Sequence, residues 1–106
     1  MNHLIDFYLV KEVKSKDSMG QTTTQKTFVL RIGRQKSVYE NEFYKAEQAG
    51  LRPQGVIVMC SFDYSGERYI KIGTNEYTIY RTYLDGADKI ELYYGERVGN
   101  DWWITH

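Results

Sequence analysis

Cysteine and proline are almost missing from this 106-residue chain: Cys60 and Pro53 each stand alone. One cysteine cannot build a disulfide framework, so the chain suits a reducing compartment. Histidine is nearly as scarce, and His3 and His106 sit at the two ends of the sequence. That excludes a His-based catalytic triad and a His-rich metal site. There is also no Cys-x-x-Cys pair, no Gly-rich phosphate loop and no clustered acid pair with metal-ligand spacing. Asp85 and Asp88 flank a turn, where solvation accounts for them. The expectation is a non-enzyme that needs no metal or cofactor.

Net charge is missing as well, because fourteen basic residues balance fourteen acidic ones. Such a chain has no global field to draw it to nucleic acid or to an anionic membrane. No apolar run is long enough to span a bilayer. The start, Met1 to Asp6, has neither the basic opening nor the apolar stretch of a signal peptide. A chain made and kept in the cytosol, or one that leaves by lysis rather than secretion, is expected, without a membrane partner. The length fits one domain with one modest core.

What is present is aromatic. Ten Tyr, four Phe and two Trp favour strands and half-buried or interface positions. Ile5, Phe7, Leu9 and Val13 share one parity, interrupted by Lys11, which reads as a half-buried first strand. Residues 15–25 are polar and are expected to form a long, mobile hairpin loop. Phe28, Leu30 and Ile32 again share a parity, giving a second strand over 26–33. The most apolar run is 56–62, expected to be the central strand. Val56, Val58, Cys60 and Phe62 are assigned there to the inward side, with Cys60 an inert core thiol rather than a nucleophile. Turn signals at Ser65-Gly66, Gly73-Thr74-Asn75 and Asp85-Gly86 then separate short strands, as in closely spaced hairpins. The expected fold is mainly β. It is a small antiparallel β-barrel or sandwich of about six strands, with one short helix between the second and third strands.

That helix is the one convincing helical stretch. Ser37 with Glu40 has capping-box spacing, but Asn41 is the preferred N-cap, with Glu42 in the first turn. Gly50 at C′ and Pro53 beyond it end the helix. About two turns cannot persist alone in water. The side carrying Phe43, Ala46 and Gly50 should therefore dock on the sheet or a neighbour, leaving Glu42, Lys45 and Glu47 outside.

Residues 1–53 carry nine Lys/Arg against six Asp/Glu, and residues 54–106 carry five against eight. This is either ordinary scatter or a molecule with faces of opposite sign, suited to head-to-tail packing. Arg68, Tyr69, Lys71, Tyr80, Arg81 and Tyr83 form, on paper, a face for single-stranded nucleic acid. The acidic balance of that half opposes it.

An ordered series from Lys36 to Tyr94 carries a family resemblance. It includes Glu42-Phe43-Tyr44-Lys45-Ala46, Ala49-Gly50-Leu51-Arg52-Pro53, Ser61-Phe62-Asp63-Tyr64 and Tyr77-Thr78-Ile79-Tyr80-Arg81-Thr82-Tyr83. Ile90-Glu91-Leu92-Tyr93 completes it. The series resembles the head–tail connector proteins of tailed bacteriophages, in particular the head-closure or stopper group. The likeness covers most of the chain after Lys26 and leaves out the Trp102-Trp103 tail. It implies one connector domain over 1–106, assembled as a dodecameric ring in the virion at the head–tail junction. Portal and adaptor rings would lie above it, and tail-completion or tail-tube proteins below. Packaged DNA would be held in the channel without sequence specificity, and before assembly the chain would be in the host cytoplasm. In that family the connection between the second and third strands projects toward the channel and blocks DNA exit. Carried over, this loop spans 35–53, and the stopper residues implied are Gln35, Lys36, Ser37, Glu42, Phe43, Tyr44, Lys45, Ala46, Gly50, Leu51 and Pro53. Tyr80, Arg81, Tyr83, Trp102 and Trp103 are the candidates for a ring or tail interface. Residues 15–25 and the tail 99–106 are candidates for contacts with adjoining rings. The alternatives are another connector component, such as an adaptor or tail-completion protein, or a single-strand-binding barrel.

Overall fold

The computed structural model describes residues 3–37, 46–48 and 50–97. Six antiparallel strands follow one another: β1 (His3–Lys16), β2 (Thr22–Lys36), β3 (Leu51–Cys60), β4 (Tyr69–Ile72), β5 (Asn75–Asp85) and β6 (Lys89–Arg97). A short 3-10 helix, Ser61–Asp63, follows β3, and a helical turn at 46–48 lies between β2 and β3. The sheet closes on itself in the order β1-β2-β3-β6-β5-β4.

The ring is unevenly joined. β1 and β2 pair along their whole length, His3 with Gln35 through Lys16 with Thr22. β2 meets β3 only at Arg34–Lys36, and β1 meets β4 only at Tyr8–Val10. The β1–β2 hairpin is thus a long blade held to the other strands at two narrow seams. Its outer part is the stretch expected to be a mobile loop. Both strands instead run through it, leaving a turn of only Asp17–Gln21. The Asp17 carboxylate accepts the amides of Met19 and Gln21 at 2.9 and 2.8 Å, and Ser15 and Thr23 hydroxyls meet across the ladder at 2.9 Å. Threonine-rich polar sequence lacks an apolar stripe but has ample strand propensity.

The core is Phe7, Leu9, Ile57, Met59, Ile70, Ile90, Leu92 and Tyr94, with Ile5, Tyr64, Ile72, Tyr77 and Ile79 packed around it. Phe7 and Leu9 occupy the side expected of β1, while Val13 on the blade is exposed. In β3 Val56 is buried as expected, but the core side is the other parity. Ile57 and Met59 face the core because their partners across β6 are Leu92 and Ile90. Cys60 is exposed rather than a core thiol, and Phe62 lies 79% exposed in the 3-10 helix. A continuous apolar run carries no alternation, so only the ladder partner decides which side is inside. On β2 it is the glycine that faces in. A Cβ at Gly33 would come within 2.6 Å of Ile57 Cγ2. Phe28, Leu30 and Ile32 therefore take the outer side and remain exposed.

The Ser65-Gly66 signal does not make a hairpin. The stretch after β3 crosses the end of the barrel, with Ser61 N–H donating to Asp88 O at 2.9 Å and Arg31 Nε to Asp63 O at 3.2 Å. It then delivers β4 to β1 and β5. The turns at Gly73-Thr74 and near Gly86 do join hairpins, β4–β5 and β5–β6. Among the described residues no helix is long and apolar enough to cross a membrane.

Candidate interaction surfaces

The connection expected to project from the barrel is shorter than 35–53. Gln35 and Lys36 are the last residues of β2, and Leu51 and Pro53 are the first of β3. Only 37–50 lies between the strands. Pro53 is tolerated because the β3–β6 register shifts between Pro53 and Gly55, the kind of irregularity that accommodates a residue without an N–H. Ser37 is exposed. Glu42, Phe43, Tyr44, Lys45 and the proposed caps at Asn41 and Glu40 lie outside the described residues.

The described part of the helix behaves as its spacing predicts, with one exception. Ala46 is completely buried, and Glu47 and Gln48 are exposed. Gly50, placed on the docking side in the sequence, is exposed instead. It has a φ of +74° and its N–H donates to Glu47 O at 2.9 Å, closing the helical turn in the left-handed conformation that glycine accepts without steric cost. Leu51, immediately after it, is buried.

Both ends of this connection are rooted in the barrel. The Gln35 side-chain amide donates to Tyr94 Oη at 2.7 Å. Burial pushes the Tyr94 hydroxyl above the usual tyrosine pKa, and the Gln35 hydrogen bond pulls in the opposite direction. On the outer side, Lys36 Nζ pairs with Glu91 Oε2 at 3.1 Å, and Tyr93 Oη donates to Glu91 Oε1 at 2.8 Å. The Arg81 guanidinium sits 4.4 Å from the Tyr93 ring centre, and the Tyr80 ring lies 6.4 Å from it. Lys36, assigned to the stopper loop, and Tyr80 and Arg81, assigned to the ring or tail interface, thus belong to one cluster. Glu91 and Tyr93 join them, and sequence reasoning missed both as site residues. The alternation Glu91/Tyr93 opposite Tyr83/Arg81 in the β5–β6 ladder was the available signal. Tyr83 is exposed just beyond the cluster. Trp102 and Trp103 lie outside the described residues.

The paper face for single-stranded nucleic acid is divided. Lys71 lies 5.2 Å from the Phe28 ring centre, on the side of the β1–β2 blade, while Arg81 covers Tyr93. These cations are occupied by aromatic rings of the chain itself. The two halves of unlike charge are also joined internally: Lys26 pairs with Glu76 at 3.0 Å, as Lys36 does with Glu91. Each pair joins a lysine from the basic half to a glutamate from the acidic half. Among the described residues no group of three or more His, Cys, Asp or Glu could hold a metal ion.

Comparison with known proteins found no matching family model, no significantly similar curated protein and no significantly similar solved structure.

Proposed function

We propose that this protein is a structural subunit of a phage head–tail connector ring. The connection between β2 and β3 would close the DNA channel after packaging. The observation that carries the reading is the root of that connection. At one end, Gln35 and Lys36 are tied to Tyr94 and Glu91. At the other, the buried Leu51 opens β3. A small barrel with one rooted, helix-bearing connection suits a mount that presents a moving element. The sequence resemblance supplies the phage setting, and the β-rich fold is compatible with it.

The complete burial of Ala46 favours a second reading, in which the helical turn is a lid that stays packed on the barrel. The stopper reading requires the turn to leave that position, or to carry its covering with it, as copies assemble. The single-strand-binding reading is weaker, because two of its three cations, Lys71 and Arg81, lie over Phe28 and Tyr93. Oligonucleotide titration at low salt tests it, since phosphate-driven binding would be tight and would fall steeply with added salt.

A phage lacking the protein tests the stopper reading itself. Heads made without it should package DNA and then lose it before a tail attaches. Stable, DNA-filled, tailless heads from the same mutant would contradict the assignment. Restoration by the wild-type chain supplied in trans controls for effects on neighbouring genes.

A further inference from the structure

The outer side and free edge of β2 make a surface that the connector reading does not use. Among the described residues, no strand lies beside β2 from Thr22 to Gly33 on the edge away from β1, because β3 joins only at Arg34, Gln35 and Lys36. An edge of this length presents a row of main-chain donors and acceptors that can template another strand. On the outer side of the same stretch, Phe28, Leu30 and Ile32 are 44%, 54% and 65% exposed at every second residue. Leu4 of β1 extends this apolar strip at 71% exposure.

We propose that this edge of β2 receives an extended strand of another protein, one alternating apolar and acidic residues, by main-chain pairing. Three observations select the edge and the occupant. First, among the described residues no strand other than β2 pairs with the outer part of β1, but it carries Lys11, Glu12, Lys14 and Lys16. Charges of that density are how natural edges discourage pairing. β2 from Thr27 to Gly33 has one charge, Arg31, whose guanidinium is already directed to Asp63 O. Second, every charge on β2 is positive: Lys26, Arg31, Arg34 and Lys36, with no acid among them. Lys26 and Lys36 already pair with Glu76 and Glu91, so the preference for an acidic occupant rests on Arg34. Pairing two copies through β2 would set like charges together, whereas an acidic strand meets opposite sign. Third, a shallow recess of about 490 Å³ opens where β2 parts from β3, with Leu4, Ile32 and Val58 in its lining beside the cations Arg34 and Lys89 and the acids Asp85 and Asp88. Its apolar lining residues suit one anchoring side chain, and Arg34 suits an acidic neighbour of that anchor.

The site is independent of any role at a phage head, and its test needs no phage. The purified full chain, labelled for NMR, is titrated with an end-capped peptide alternating valine and glutamate. A matched peptide with lysine in place of glutamate is the control. The expected result is saturable binding of the glutamate peptide with slowed amide exchange within residues 22–33. Ile32→Lys and Arg34→Glu, both at exposed positions, should each weaken it by about tenfold or more, a change of about 1.4 kcal/mol. No protection of β2 amides at about 1 mM glutamate peptide, a bound state about −4 kcal/mol at best, overturns the proposal. Equal binding of the lysine peptide overturns the charge selection. Concentration-dependent self-association by sedimentation, lost in Ile32→Lys, assigns the edge to a second copy and overturns the proposal too.

Discussion

Gly33 is the point where β2 meets the core, and it explains why the apolar residues of that strand face out. A Cβ at Gly33 would stand 2.6 Å from Ile57 Cγ2, 2.8 Å from Phe7 Cε1 and 2.9 Å from Val58 O. Phe7 could yield a little, but the backbone carbonyl cannot. Gly33→Ala should therefore destabilise the fold by about 1–3 kcal/mol, the usual cost of overpacking. A denaturant titration should show a lower midpoint with an unchanged slope. Tyr94 carries a second residue-scale prediction. Its raised pKa means that the folded state keeps the phenol proton longer than the unfolded chain does. That contribution is intact below about pH 10, the unperturbed tyrosine value, and is lost as pH rises through the folded value. Tyr64, raised by burial and by Glu67, acts in the same direction. Tyr94→Phe should cost about 1 kcal/mol near neutrality through the lost Gln35 bond, yet soften the fall in stability above pH 10. An equally steep alkaline fall in the mutant would separate Tyr94 from that transition. Single residues were also where the sequence misled. Cys60 and Phe62 looked inward because a run of apolar residues offers no polar ones to mark the other face.

Among the elements, the β1–β2 blade shows how a ladder can form without an apolar stripe to announce it. Alternation was legible in Phe7 and Leu9, and again in Phe28 to Ile32, but not in the threonine-rich stretch that connects them. What orders its tip is local, namely the Asp17 carboxylate accepting two amides. Asp17→Ala should raise amide exchange at the tip and shift global stability by no more than about 1 kcal/mol. Loss of the whole fold in that variant would mean that the blade is structurally coupled to the core beyond its two seams. The helix end was legible in full at Gly50, because a left-handed C′ residue has a strong sequence signature. Its exposure was not, because helical spacing ranks faces and does not count neighbours. Ala46→Asp tests what the turn is for. A carboxylate forced into that buried position costs several kcal/mol if the turn cannot move away. A lid integral to the barrel would then unfold the domain on heating at markedly lower temperature. An element able to swing out should instead leave the thermal midpoint nearly unchanged while the amides at 46–50 lose protection.

For the molecule as a whole, the mainly β class, the antiparallel pairing and the place of the helix were legible from turn signals and aromatic richness. A barrel was one of the two expected architectures, but the route by which the ring closes was not legible. β4 lies beside β1 because the stretch 61–68 crosses the barrel end, and nothing local in Ser65-Gly66 distinguishes a crossing from a hairpin. The charge difference between the two halves was legible as a count. Its placement was not, since Lys26–Glu76 and Lys36–Glu91 bring the halves together within one subunit. In the proposed ring, opposite-sign faces would therefore count for less than the tally of charges suggests. The connector account is tested most directly by electron microscopy of the purified protein mixed with portal–adaptor complexes of its own phage. The account predicts a ring of this protein beneath the adaptor, with the 37–50 connections directed to the channel axis. Absence of such a ring, or 37–50 connections all directed away from the axis and packed on their own barrels, would contradict it.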